Sequence, residues 1–217
     1  MAKDRIEIPM YVMGEPETFV WFPDKTGTLR EVYDTLSQPG IEKPSAREVT
    51  FFMNHVLNRA DGGSTALIGE INLEKNVSFP SFTGVLADSS YIYMTDTQTS
   101  LRITDKDIEL DRESILSTTD RNAVHIGRGG DAQYGYLVGH NIKNNYLARL
   151  LCHDGMHLLR TMNDNKKTSR VRLVIPETET ETAFVPAFHL SQDTTLSIGL
   201  VRPTDDNKYF AIGMKKK

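Results

Sequence analysis

Cysteine is almost missing from this 217-residue chain, where Cys152 stands alone. A lone thiol forms no internal disulfide and no multi-cysteine zinc site, so a reducing, cytoplasmic setting is the default expectation. Long apolar runs are missing as well. No stretch approaches the ~18 apolar residues that a membrane span needs. The opening "MAKDRIEIPMYVM" breaks its short apolar stretch at Pro9, where a signal peptide would be continuous. These absences predict a soluble protein with no membrane partner. A concentrated basic surface is also lacking: the formal net charge is -4, and the only basic run is Lys215-Lys216-Lys217. Nucleic acid, which is usually gripped by such a surface, is not an expected partner.

What the chain does hold is ordinary globular composition, 39% apolar and 25% charged, enough for a core without staples. The first third carries helix signals. Thr28-Leu29-Arg30-Glu31 has the spacing of a capping box, and Leu29, Val32, Tyr33 and Leu36 follow at helical intervals until Gln38-Pro39-Gly40. Ser45-Ala46-Arg47-Glu48 repeats the pattern ahead of an apolar stripe at Val49, Phe52, Met53, Val56 and Leu57, closed by Gly62-Gly63. After that the period becomes two. "STALIGEINL", "FTGVLADSSYIYMTDT" (a hairpin with its turn at "ADSS"), "AVHIG", "YGYLVG", "SRVRLVIP", "TAFVPAFHL", "TTLSIGLV" and "KYFAIG" read as strands, with "NNYLARLLC" as a later helix.

Helices first and sheet afterwards is not the rhythm of a doubly wound fold. The expectation is a single α+β domain over residues 1–217, with a helical subdomain at 24–62 as the other division. Short N-terminal helices would pack on a mainly antiparallel sheet, sandwich-like or partly closed into a barrel. Asp105, Asp107, Glu109, Asp111 and Glu113 alternate with other residues, which on a strand makes one acidic, solvated face. "PETETETA" reads either as an exposed edge strand or as a polar loop.

Three short stretches invite chemistry. Asp24-Lys25-Thr26-Gly27-Thr28, "DKTGT", follows the apolar "FVWFP". It resembles the phosphorylation motif of P-type ATPases, in which the aspartate becomes an acyl-phosphate. That resemblance implies an Asp24 nucleophile at the carboxyl end of a strand "TFVWF", beside Mg²⁺, with phosphate held at a helix N-terminus. Leu29 fits the family's next position; Arg30 replaces a threonine there, and Pro23 precedes the aspartate where the family has another residue. A haloacid-dehalogenase-like site would add Thr95, Lys143 and Asp205 with Asp206, but that family's late glycine-containing acidic motif is missing. The same letters also spell a turn: Thr28 as N-cap, Gly27 easing the backbone into the helix, Asp24 and Lys25 decorating the bend.

The second stretch, "LLCHDGMHLL", resembles the zincin pattern HExxH. The resemblance implies that His153 and His157 share a helix face and hold Zn²⁺, with Glu177, Glu179 or Glu181 as a third ligand. Asp154 replaces the glutamate and is a methylene shorter, and Gly155 inside a helix costs ~1 kcal/mol. The competing reading ends a helix near His153, places Gly155 in a left-handed position beyond it, and starts a strand at "MHLLRTM". The third stretch, "HIGRGGDAQYGYLVG", offers Gly127, Arg128, Gly129 and Gly130 as a backbone nest for a small anion, or else simply as a glycine-rich loop.

No nucleophile–base pair, complete metal set or cofactor fingerprint can be read from the sequence. The expected function is therefore a non-catalytic interaction or assembly module that binds a protein partner or copies of itself, without a cofactor. An Mg²⁺-dependent phosphotransfer enzyme using Asp24, and a zinc hydrolase using His153 and His157, are the alternatives.

Overall fold

The computed structural model describes residues 5–12, 14–59, 77–88, 91–94, 101–111, 123–125, 155, 157–158, 170–174, 178, 180–190 and 195–216. Strands β1 (Ile6–Val12) and β2 (Glu15–Gly27) form a hairpin in which Ile6 faces Trp21 and Val12 faces Glu15. Gly14 turns the hairpin at φ 87°, a conformation that any residue with a Cβ resists. Helix α1 (Leu29–Thr35), the two-residue β3 (Ile41–Glu42) and helix α2 (Ala46–Arg59) follow. Then come β4 (Val77–Pro80), β5 (Val85–Ala87), β6 (Tyr91–Met94), β7 (Arg102–Ile103), β8 (Ile108–Glu109) and β9 (Ala123–His125). The described strands end with β10 (Arg170–Val174), β11 (Thr182–Leu190), β12 (Thr195–Val201) and β13 (Tyr209–Lys215).

The described strands form a four-stranded sheet in the order β1-β2-β13-β3, a seven-stranded sheet in the order β10-β12-β11-β5-β6-β9 with β4 also on β11, and a separate two-stranded sheet of β7 and β8. Apart from β10 with β12, which run parallel, the described pairs are antiparallel. This mainly antiparallel α+β composition agrees with the sequence reading. The "ADSS" hairpin is present as β5 and β6, with Ala87 opposite Ile92. "YGYLVG", "NNYLARLLC" and "STALIGEINL" lie outside the described residues.

Both helices begin where the capping boxes put them. Thr28 N–H donates to Glu31 Oε2 at 2.8 Å, and Glu31 N–H donates back to Thr28 Oγ1 at 3.3 Å. Ser45 N–H donates to Glu48 Oε2 at 2.6 Å, and Glu48 N–H returns to Ser45 Oγ at 3.3 Å. Each box satisfies two orphan donors of a first turn.

Burial explains the continuous apolar runs. Successive residues of β2 feed two different clusters: Phe19 and Trp21 enter one with Phe52, Phe184, Phe188, Ile198 and Ile212. Val20 and Phe22 enter the other with Leu29, Val32, Leu36, Val185 and Tyr209. A strand buried on both faces has no polar side to alternate. Phe52 of α2 joins the sheets through aromatic contacts, 5.5 Å to Phe19 of β2 and 5.4 Å edge-on to Phe79 of β4, which in turn lies 5.8 Å from Phe210 of β13.

The described part of the acidic alternation, Asp105 to Asp111, does not form one strand face, and Glu113 lies outside the described residues. Asp105 and Asp107 lie exposed in the tight turn between β7 and β8, where Thr104 Oγ1 accepts from Asp107 N–H at 3.0 Å. Ile103 and Ile108 bury the hairpin's other side, so the short hairpin wins over one long strand. It is tied to α1 by the Tyr33 hydroxyl, which donates to Leu101 O at 2.8 Å, and by Arg30, which donates to Ile103 O. In "PETETETA", Thr178 and Thr182 hydroxyls approach to 3.0 Å and Thr182 donates to Thr180 O at 2.9 Å, a polar bend ahead of β11.

Candidate functional site

The phosphorylation-like string sits in a bulge. Across β2 and β13, Phe22 faces Ala211 and Thr26 faces Phe210, consecutive residues on β13. Pro23, Asp24 and Lys25 are therefore extra residues looped out of the ladder. The strand does not end with "TFVWF", as the resemblance implies: β2 resumes pairing after the bulge and runs to Gly27. Asp24 is exposed, and both neighbours of its strand are antiparallel to it. Gly27 is buried, and a Cβ there would collide with the Glu31 carboxylate that caps the helix. Here the glycine serves the cap. Among the residues suggested as accessories, Asp205 accepts from Arg202 N–H at 2.8 Å within the turn after β12, while Thr95 and Lys143 lie outside the described residues.

In the second stretch, Gly155, His157 and Leu158 are helical. This corrects the reading that Gly155 takes a left-handed position past a helix end and that a strand starts at Met156. Gly155 is buried. His157 is exposed, whereas His153 lies outside the described residues, as do Gly127, Arg128, Gly129 and Gly130. Among the described residues, no group of three or more His, Cys, Asp or Glu side chains is placed to hold a metal ion. No described helix is long and apolar enough to cross a membrane.

Two arrangements emerge that none of the three short stretches indicated. The first is the outer edge of β1. This strand ends its sheet, and no described strand pairs with its far side. Its burial alternates, with Ile8, Met10 and Val12 inside and Glu7, Pro9 and Tyr11 outside. Tyr11 is 73% exposed, and it is the large hydrophobic left in solvent among the described residues. Arg5 lies 3.6 Å from Glu7, which Lys215 of β13 also approaches to 3.2 Å. Proline lacks an N–H to offer a ladder, and an edge strand such as this one tolerates it.

The second is a hydroxyl–imidazole pair. Ser78 of β4 and His189 of β11 face each other in register, and Ser78 Oγ lies 2.7 Å from His189 Nδ1. The register continues from His189 to Ser197 of β12 on the other side. All three are half-buried. Burial lowers the His189 pKa from its ordinary 6.5, so its neutral form prevails at neutral pH. The sequence reading missed this pair because its partners are separated by 111 residues, and "VSFP" carries no local strand signal strong enough to set a register.

Comparison with family models, with characterised proteins and with solved structures finds no match for this chain.

Proposed function

We propose that this chain is a non-catalytic assembly module, a single domain with sandwich-like or partly closed sheets, that pairs with a second copy of itself through β1. The observation that carries the reading is the open β1 edge with its self-complementary charges. An exposed strand edge is a template for another strand, and a two-fold pairing puts the same patch on both partners. If two β1 strands run antiparallel about Ile6, Arg5 of each copy faces Glu7 of the other. Pro9 falls outside that short overlap and limits how far pairing extends.

The test is charge reversal. Arg5→Glu should drive the oligomer to monomer in sedimentation equilibrium, and adding Glu7→Arg should restore it. A wild-type chain that stays monomeric defeats the reading. Phosphate-ester hydrolysis lost in Asp24→Asn would instead support Mg²⁺-dependent phosphotransfer, and stoichiometric zinc lost in His153→Ala would support a zinc hydrolase at His153 and His157.

A further inference from the structure

We propose that Ser78 is an acyl-accepting nucleophile activated by His189, a reactive pair for small activated esters and distinct from the β1 edge. Three observations converge on it. The Ser78 Oγ and His189 Nδ1 atoms are in hydrogen-bond contact at 2.7 Å, within the reach that a general base requires. Their positions are fixed by a backbone register, His189 opposite Ser78 and Leu190 opposite Val77, so the contact rests on two paired strands. Both residues are half-buried, enough to desolvate the imidazole and still leave an approach for a small molecule.

β4 ("VSFP"), β12 ("TLSIGLV") and the rest of β11 ("TAFVPAFHL") contribute no other ionisable side chain. The row continues from Ser197 to Arg172 of β10, and α2, which packs on β4 and β11, carries Arg47, Glu48 and His55. Desolvation alone moves His189, and it moves it toward the neutral base. With Nε2 protonated, the Nδ1 lone pair faces the serine hydroxyl. As Ser78 Oγ bonds to an ester carbonyl carbon, its proton passes to His189 Nδ1. The tetrahedral adduct then collapses: the bond from carbon to the leaving oxygen breaks, and the imidazolium gives its proton to that oxygen. The products are a free alcohol or phenol and an ester on Ser78 Oγ, and the step needs no co-reactant. Ser197, next in the row, extends the polar strip along which an ester could lie.

The experiment treats the full chain with 4-nitrophenyl acetate, follows phenolate release, and maps the acetyl group by peptide mass. The expected result is acetylation at Ser78, absent in Ser78→Ala and slowed about a hundredfold in His189→Asn. The wild-type rate should rise with a midpoint below 6.5 and be level by neutral pH, because the neutral imidazole is the active form. Acetyl found only on other residues, or a Ser78 rate no faster than in the urea-unfolded chain, would overturn the proposal. Should His189→Asn fail to fold, the wild-type pH profile decides. A midpoint below 6.5 sustains the pair, and a rate proportional to hydroxide across roughly pH 5 to 9 refutes it.

Discussion

Tyr209 shows how a buried polar atom leaves a mark on stability. The residue is 1% exposed, and its hydroxyl makes no hydrogen bond of sound geometry. Burial pushes its pKa up to about 12, with nearby Asn207 opposing the rise and Asp205 reinforcing it. Because the folded value lies above the unfolded one, the stability linked to the neutral phenol is intact below pH 10 and is lost as pH rises toward 12. Tyr209→Phe should therefore stay within about 0.5 kcal/mol of the parent at pH 7, since no bond is broken. It should also unfold less readily above pH 10, as followed by circular dichroism. His189 has the opposite sign. Its folded pKa is depressed, so its contribution is present above 6.5 and is lost as pH falls below it. Replacing it by Gln should flatten that acid limb in urea titrations between about pH 5 and pH 7.

At the scale of elements, α1 is held by its cap and α2 by its aromatic face. Thr28→Ala removes the acceptor for Glu31 N–H and should cost ~1 kcal/mol in chemical denaturation. Gly27→Ala should cost a similar amount by displacing the Glu31 carboxylate that completes the box. Phe52→Ala empties the contact between Phe19 and Phe79 and should cost ~3–5 kcal/mol. The difference in kind explains what could be read in advance. A capping box is written within four residues, so Thr28–Glu31 and Ser45–Glu48 were legible, and so was the strand character of β11, β12 and β13. The Pro23–Lys25 bulge was not, because it is set by register against β13 at the far end of the chain. β1 is hard to read because Pro9 interrupts its apolar run, although an edge strand is where a proline is tolerated. The Ser78–His189 pair needed a register that β4's four residues could not announce.

For the whole molecule, both core clusters gather residues from the two ends of the described chain, Ile8 with Met214 in one and Val20 with Ala211 in the other. β1 and β13 therefore flank β2 in one sheet, and the β1 edge is a fixed surface of a packed body. A net charge of -4 keeps copies mutually repulsive at long range, so pairing through Arg5 and Glu7 should weaken at low ionic strength as global repulsion grows, while high salt screens both terms. Edge pairing this short is modest, which makes the oligomer concentration-dependent. The most direct measurement is sedimentation equilibrium of the parent, Arg5→Glu, and Arg5→Glu with Glu7→Arg over a range of loading concentrations. Self-association in the parent, its loss in the single variant and its return in the double variant are the predicted result. A parent that sediments as a monomer throughout, or one that associates equally with and without the charge at Arg5, would contradict it.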